Sequence, residues 1–143
     1  MATPLPTLKS RPLTLTYEIP ITKTQKFWNG IKEGKIYTTK CKKCGKLSFP
    51  PVADCPICLS SDAEWVELSN EAEIETFTHV AILPATFQKY EPYTIAIGRL
   101  KEGVRVLAWL KDVKLENTKV GMKVKLQPKV TSEGMLTMEF LPI

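Results

Sequence analysis

All four cysteines of this chain fall in two Cys-x2-Cys pairs, Cys41/Cys44 and Cys55/Cys58, with ten residues between them. We expect each pair to form a turn that directs two sulfurs to one point. Two facing turns supply the four soft ligands that tetrahedral Zn²⁺ binds at about 2.3 Å. Gly45 follows the first pair and permits that turn to bend away from the metal. The spacing therefore predicts a structural zinc site in a ribbon-type fold.

Iron binding, disulfide formation and simple burial account for the cysteines less well than zinc does. An iron–sulfur centre uses the same ligands and is the main competitor, and a disulfide is the weaker one. Burial would explain one or two free cysteines but not two matched pairs. A thioredoxin-type redox motif has one pair near a βαβ pattern, which this sequence lacks. Because four thiolates fill a tetrahedral ion, a closed site of this kind stabilises a fold and does not catalyse.

Composition places the chain among globular proteins. It has 143 residues, of which 43% are hydrophobic and 24% charged, which is ordinary for a folded domain. No apolar run approaches the roughly 20 residues of a membrane helix. The N-terminal residues contain no apolar leader core. We therefore expect a cytoplasmic protein that does not enter a membrane. In the cytoplasm thiols stay reduced, and paired cysteines more often bind metal than form disulfides.

The charge is unevenly distributed along the sequence. The net charge is +5, but residues 1–50 carry +8 and residues 51–143 carry −3. A basic front half indicates an anionic partner, such as nucleic acid, a phosphorylated cofactor or an acidic protein. A solvated lysine face is an equally good interpretation of the same residues.

The sequence divides into three parts: an extended arm and helix (1–35), a zinc ribbon (36–68) and a barrel (69–143). Thr22 with Gln25 is a capping-box pattern, and Gly34 is a natural left-handed stop. These signals predict a helix over about 23–33, with Trp28 on its apolar face. Gly30 is the one residue that weakens this prediction.

The last part has the pattern of five short strands, with β-branched and alternating residues separated by proline and glycine. We predict strands at Glu73–Ile82, Thr94–Leu100, Val104–Lys111, Val124–Lys129 and Leu136–Pro142. Residues 101–103 predict a tight hairpin between the second and third strands. The fold class is therefore mainly β, with an N-terminal helical segment, a rubredoxin-like ribbon and a five-stranded OB-type barrel. A five-stranded SH3-like barrel is the rival.

No catalytic constellation is visible. His79 is the single histidine and lies within a predicted strand, where a packed or surface role is the usual one. The sequence has no nucleophile elbow, no phosphate-cradling glycine loop and no H-E-x-x-H motif. The expected role is that of a binding or scaffolding module.

The order of these features resembles a known family. A Trp28-bearing helix, the two cysteine pairs, Phe49-Pro50-Pro51 and Glu64-Trp65-Val66 precede the barrel. This arrangement is similar to the zinc-ribbon/OB-fold acyl-CoA-associated family, long catalogued as a domain of unknown function. The resemblance covers about 27–142. The chain departs from the family pattern at Leu59, where a glycine usually follows the last cysteine, and at residues 70–72, which replace a glycine-containing turn.

The resemblance implies a non-catalytic partner of a thiolase and of hydroxymethylglutaryl-CoA synthase, which bridges the two enzymes and helps to retain a CoA-bound intermediate. CoA or acyl-CoA is the implied ligand. Lysines of the helix and ribbon would meet its phosphates as point charges, and aromatic rings would enclose its pantetheine arm. The candidate residues are Phe27, Trp28, Phe49 and Trp65, with Lys32, Lys35, Lys40, Lys42, Lys43 and Lys46.

The aromatic residues also suit a purely structural role, in which they pack the helix and ribbon onto the barrel. Two other functions stay open besides acyl-CoA binding. Single-stranded nucleic-acid binding is the main alternative function, because ribbons and OB barrels both serve it. Its one candidate patch is Trp109 with Arg105, Leu107 and Lys111. A pure protein–protein adaptor without a small ligand is the third.

Overall fold

A computed structural model of the chain describes residues 6–8, 13, 15–88 and 90–143. Within these ranges a short helix precedes eight strands. They are α1 (Gln25–Lys32), β1 (Tyr37–Cys41), β2 (Leu47–Ser48), β3 (Ala63–Glu67), β4 (Glu71–Val80), β5 (Tyr93–Leu100), β6 (Arg105–Leu110), β7 (Lys123–Val130) and β8 (Leu136–Pro142). Three 3-10 turns lie at Thr22–Thr24, Ala85–Phe87 and Leu115–Asn117. None of the described helices has both the length and the apolar character needed to cross a bilayer.

The predicted extended arm lies partly outside the described residues, and residues 15–21 belong to no helix or strand. The helix begins later than predicted, because a 3-10 turn over Thr22–Thr24 precedes it. The predicted capping box at Thr22 is therefore wrong. Thr24 is the N-cap of α1, and its hydroxyl donates backwards to the carbonyl of Ile21 at 3.3 Å. The predicted stop is confirmed, since Gly34 has φ 78.

Gly30 is the residue that lets α1 approach the ribbon. It is buried, and a Cβ at this position would lie 2.6 Å from Cδ2 of Tyr37 and 3.0 Å from the carbonyl oxygen of Lys35. The amide of Lys35 also donates to the carbonyl of Gly30 at 2.8 Å. A side chain would therefore push the helix away from β1. Close packing against Tyr37 therefore explains why a glycine lies within this helix.

The ribbon contains a three-stranded antiparallel sheet in the order β2-β1-β3. Two buried threonines on β1 fix the segment that follows β2. The Thr38 hydroxyl donates to the carbonyl of Ser48 at 2.5 Å, and the amide of Val52 donates to the Thr39 hydroxyl at 3.0 Å. These bonds hold the proline-rich segment 49–52 against the sheet.

The remaining five strands form a closed barrel in the order β4-β5-β6-β8-β7, with β7 returning to β4. All pairs are antiparallel except β6 with β8. Each predicted strand is present, and the largest shift of a boundary is from Glu73–Ile82 to Glu71–Val80. The predicted hairpin is also present, since the amide of Gly103 donates to the carbonyl of Leu100 at 2.8 Å. The closed five-strand order confirms the OB-type prediction over the SH3-like rival.

The barrel core is filled by alternate residues of its strands. Ile74, Val124, Leu126 and Phe140 are fully buried. Gly98 lies opposite the Phe140 ring, and a Cβ there would be 2.7 Å from the ring atom Cζ. An aromatic side chain therefore takes the space that a larger residue on β5 would need.

The helix joins the ribbon to the barrel. It contacts β1 on one side and β7 and β8 on the other. Phe27 and Ile31 from the helix, with Ile36 and Leu68 from the ribbon, belong to the same hydrophobic cluster as the barrel core. This continuity fixes the metal-binding turns relative to the barrel.

Candidate metal centre and neighbouring clefts

The four cysteines converge as the sequence predicts. Their Sγ atoms all lie within 4.8 Å of one another. The Cys41–Cys58 sulfurs are 3.5 Å apart and the Cys44–Cys55 sulfurs 3.6 Å. A tetrahedron with metal–sulfur bonds of about 2.3 Å has edges of about 3.8 Å. The sulfurs are therefore positioned to bind one metal ion, and their chemistry and spacing fit zinc.

The first knuckle, residues 41–46, is a turn closed by two backbone hydrogen bonds. The amide of Gly45 donates to the carbonyl of Cys41 at 2.8 Å, and the amide of Cys41 donates to the carbonyl of Lys46 at 2.9 Å. Gly45 has φ 74, a left-handed conformation that glycine adopts without steric cost.

The second knuckle, residues 55–60, repeats this turn with different side chains. The amide of Leu59 donates to the carbonyl of Cys55 at 3.0 Å, and the amide of Cys55 donates to the carbonyl of Ser60 at 2.9 Å. Leu59 occupies the place of the glycine and has φ 56. The two knuckles therefore share one backbone conformation, and only the first has the residue that suits it.

The knuckle backbones favour thiolate at two cysteines. The backbone N–H of Cys44 lowers the pKa of Cys41. The backbone N–H groups of Cys58 and Ile57 lower the pKa of Cys55 to about 6. Because thiolate is the form that binds metal, these amides prepare the site for a cation.

Crowding of the sulfurs has the opposite effect at Cys44. The backbone N–H of Lys46 lowers the pKa of this thiol, but desolvation of the sulfur and hydrogen bonds with Cys55 and Cys41 outweigh it and raise the pKa to about 12. Four adjacent thiolates repel one another, so a cation is needed for all four to ionise. The donor set therefore fits a divalent metal.

An apolar groove of 480 Å³ lies beside the ribbon, between α1, the proline segment and the outer surface of β6 and β8. Its lining residues include Phe27, Trp28, Pro50, Trp109 and Met138. The indole Nε1 of Trp28 is buried and has no hydrogen-bond partner among the described residues. The groove is therefore lined mainly by apolar side chains.

A second cleft, of 660 Å³, separates the first knuckle from the β5–β6 hairpin. Lys46, Phe49 and Arg105 are among its lining residues, and Pro50 lines both spaces. The proline segment therefore forms a wall between the two clefts.

The structure brings together three of the four predicted ligand-binding aromatics. The Phe27 ring lies edge-on to Trp28 at 5.0 Å and to Phe49 at 5.9 Å between centroids. Phe27 is itself 3% exposed, so it contributes mainly to packing. Trp65 lies on β3 and packs against the core without lining either cleft. Lys32 and Lys35 line neither cleft.

Folding offsets much of the basic front half. Ion pairs of 2.9–4.0 Å join Lys23 to Asp54, Lys35 to Glu67, Lys40 to Glu64 and Lys42 to Asp62. Within the described ranges Lys32, Lys43 and Lys46 have no such acidic partner. The front half of the chain therefore carries less unpaired positive charge in the folded protein than the sequence indicates. Composition alone could not predict these pairs, because they depend on strand register.

The candidate nucleic-acid patch is also altered by folding. The Trp109 ring stacks on Tyr93, with centroids 4.5 Å apart at 15°, and Lys111 Nζ lies 4.5 Å from the Trp109 centroid. Arg105 Nε donates to Glu75 at 2.5 Å, and this pairing lowers the pKa of Glu75. Sequence reasoning missed both partners, although the register of β4, β5 and β6 places them together.

His79 is engaged within the barrel wall. It is half-buried on β4, opposite Thr94 on β5. Its Nδ1 lies 3.1 Å from the Thr94 hydroxyl oxygen. The only histidine of the chain therefore joins two strands.

Comparison with known proteins identifies both the ribbon and the barrel. Residues 28–64 match the rubredoxin-like zinc ribbon domain of ChsH2, and residues 65–127 match its C-terminal OB-fold domain. A chain of the Ltp2-ChsH2(DUF35) aldolase superposes with a TM-score of 0.73 at 23% identity, covering 92% of this chain and 98% of that one. This likeness supports the fold.

Two similar sequences extend the comparison. A DUF35 domain-containing scaffold protein of Methanocaldococcus jannaschii is 36% identical over 100 residues, which cover 68% of this chain and 71% of the relative. The benzoylsuccinyl-CoA thiolase subunit BbsA of Thauera aromatica is 35% identical over 71 residues, half of this chain and 48% of that protein. With its zinc-ribbon and OB-fold domains and its four converging cysteines, this chain belongs to the family of DUF35 domain-containing scaffold proteins.

Proposed function

We propose that this chain is a non-catalytic subunit that binds a thiolase, bridges it to hydroxymethylglutaryl-CoA synthase, and contributes a surface for acyl-CoA. The family of scaffold proteins supports a role in assembly. A relative named as a thiolase subunit supports the partner. The four-sulfur centre fits a structural ion with no vacant position, which argues against chemistry at the metal.

Zinc is the ion we propose for this centre. Cys41, Cys44, Cys55 and Cys58 would hold it as thiolates, and it would tie the two knuckles together. A structural zinc contributes roughly 10–16 kcal/mol of apparent free energy in small domains. Metal analysis of gently purified protein should give one zinc per chain. One iron per chain in place of zinc, with visible charge-transfer absorption, would contradict this assignment.

The observation that carries the acyl-CoA proposal is the apolar groove that Trp28 lines beside the ribbon. Pantetheine is a thin, mostly apolar chain that an apolar groove of this kind can enclose. The groove volume of 480 Å³ lies within the range of about 300–1,000 Å³ that ligand pockets occupy.

The phosphates of CoA need cations near this region. Lys32 is exposed and has no acidic partner among the described residues, so we propose it as one phosphate contact. Lys35 pairs with Glu67 at 3.8 Å, with both side chains about half exposed. An exposed pair of this kind is weak, so Lys35 can exchange its carboxylate for a phosphate.

Replacing Trp28 by phenylalanine tests the groove. Trp28→Phe keeps an aromatic ring but removes part of the indole surface that lines the groove, so the affinity for acetyl-CoA should fall about 3- to 10-fold in calorimetric titration of the zinc-loaded protein with its thiolase. Trp65→Phe is the matched control, because Trp65 lines neither cleft. Equal affinity of the Trp28 variant and the wild type would remove Trp28 from the site. If the wild-type complex fails to bind CoA, the ligand proposal is wrong.

Single-stranded nucleic acid is less well supported as the ligand. Base stacking needs an aromatic face and unpaired cations, whereas Trp109 already stacks on Tyr93 and Arg105 is paired with Glu75. Titration with a short single strand at two salt concentrations distinguishes the cases. Tight binding that weakens steeply with salt would favour nucleic acid. A thiolase complex without CoA binding would favour a pure adaptor.

A further inference from the structure

The second knuckle carries two apolar side chains that the fold leaves in solvent. Ile57 is 69% exposed and Leu59 is 82% exposed. The corresponding positions of the first knuckle are Lys43 and Gly45. Two turns of the same backbone conformation therefore present opposite surfaces, one charged and one apolar.

Leu59 is also held in an unfavourable backbone conformation. Its φ of 56 lies in the left-handed region, where the Cβ of an L-residue is crowded by the backbone. Gly45 shows the residue that the same turn accepts without strain, at φ 74. Because Leu59 is mostly exposed, little packing offsets this cost. Neither the turn nor the core explains why leucine is present.

Backbone strain that no packing contact or hydrogen bond offsets often marks a functional position. We propose that Ile57 and Leu59 form a docking tip that inserts into an apolar pocket on the thiolase subunit. This inference deepens the proposed function and rests on it. It assigns part of the interface to the metal-binding turn.

Charge around the tip indicates what surrounds the pocket. Within the described ranges, Lys43 and Lys46 of the first knuckle have no acidic partner, whereas Lys42 is paired with Asp62 at 2.9 Å. Lys46 lines the same cleft as Pro56, the residue before Ile57, so this lysine lies beside the second knuckle. A pocket with carboxylates on one side of its rim complements this arrangement.

The geometry of the tip suits a binding contact. Each knuckle is closed by backbone hydrogen bonds and tied at two cysteines, so Ile57 and Leu59 project from a turn that is already ordered. A pre-ordered contact loses less conformational entropy on binding than a flexible loop does. Aliphatic side chains that fill a pocket can then contribute strongly to affinity.

Replacing Leu59 by residues that accept φ 56 tests the proposal. Leu59→Gly and Leu59→Asn both relieve the left-handed strain, so the melting temperature should stay equal or rise by about 2 °C. The dissociation constant for the thiolase of the same organism should nevertheless increase at least about 10-fold. Binding would thus weaken without any loss of stability, which replacement of a merely structural leucine does not produce.

Ile82→Ala is the matched control. Ile82 is 92% exposed, lies between β4 and β5 and belongs to neither knuckle. Its replacement should leave the dissociation constant unchanged. All variants should bind the same amount of zinc as the wild type, which separates loss of docking from loss of the metal.

Several outcomes would overturn the docking tip. Unchanged thiolase affinity of both Leu59 variants would show that the side chain makes no contact. A lower melting temperature would show that leucine supports the fold. Binding of wild-type protein, but not Leu59→Gly, to phosphatidylcholine–phosphatidylserine vesicles, with normal thiolase affinity, would assign the tip to lipid. If the wild type itself does not bind the thiolase, the proposed function fails together with the tip.

Discussion

The two knuckles have the same backbone conformation and different surfaces. Each begins with a buried cysteine and is closed by the same pair of hydrogen bonds. The first has Gly45 at its left-handed position and lysines at its exposed positions. The second has Leu59 at that position and Ile57 beside it. Because the backbone turns alone bring the four sulfurs together, the other side chains are free to differ.

This difference separates the groups that form the four-sulfur cluster from the exposed side chains that take no part in it. Replacing a residue that the turn requires should lower the stability of the fold strongly. Replacing a residue that the turn merely tolerates should change the stability little. Cysteines and Gly45 belong to the first class, and Leu59 and the lysines to the second. Substitutions in matched pairs across the two knuckles can therefore test the division.

The largest effect is expected from breaking the metal centre. Cys41→Ser and Cys55→Ser each remove one of four ligands from a buried position, so both should lose zinc and most of the ribbon structure, because zinc binding supplies much of the stability of such small units. Thermal melting should show a fall of more than about 10 °C. The measurement is zinc content together with far-ultraviolet circular dichroism.

If the knuckles are equivalent as ligands, the two serine variants should be alike. Wild-type protein treated with a strong chelator should reproduce their melting curves and recover when zinc is restored. A variant that kept its full zinc content and its melting temperature would contradict the assignment of that cysteine as a ligand.

An intermediate effect is expected at the left-handed position of the first knuckle. Gly45→Ala places a Cβ in open space, with no atom within 4 Å, so its cost is conformational alone. We expect a loss of about 1–2 kcal/mol in the free energy of unfolding, measured by urea denaturation. Gly34→Ala is the matched control outside the knuckles and should cost a similar amount, since Gly34 has φ 78 and an added Cβ there would also meet no atom within 4 Å. An unchanged stability of Gly45→Ala would mean that the turn does not require glycine, and the comparison with Leu59 would lose its basis.

The smallest effect is expected from the ion pair beside the first knuckle. The hydrogen bond and charge of Asp62 raise the pKa of Lys42 above its ordinary 10.5. A raised lysine pKa stabilises the fold below pH 10.5 and loses this contribution as the pH rises through the folded value. Lys42→Met should therefore lower the melting temperature slightly at pH 8 and have a smaller effect at pH 11.

Lys43→Met is the control for that pair, because Lys43 has no acidic partner among the described residues. It should leave the melting temperature unchanged at both pH values. Exposed pairs contribute little and are screened by salt, so the Lys42 effect should shrink at high ionic strength. An effect of Lys42→Met that is equal at both pH values would show that the charge of Lys42 is not its cause.

The parts predicted well from sequence are those specified by local pattern. Two Cys-x2-Cys pairs place four sulfurs at one point because each turn is short, and alternating strands with glycine and proline between them give the barrel. The start of α1 was predicted wrongly because a 3-10 turn and an α-helix share the same local signals. Gly30 could not be explained before Tyr37 was seen against it.

The candidate ligand site was predictable only in part. Phe27, Trp28 and Phe49 are close in sequence to the ribbon, and the structure places their rings together. The groove itself needs β6 and β8, which follow much later in the chain. Its shape and the unpaired Trp28 Nε1 depend on that distant packing, and no local pattern encodes them.

By itself, the sequence determined which four cysteines converge, the strand content and the overall charge. Tertiary structure decided which lysines keep their charge unpaired, which aromatic rings stay available, and that Leu59 adopts a conformation suited to glycine. The physical reason is range. Ligand spacing and strand alternation act over a few residues, whereas ion pairs, ring stacking and clefts depend on strand register and on contacts between residues far apart in the chain.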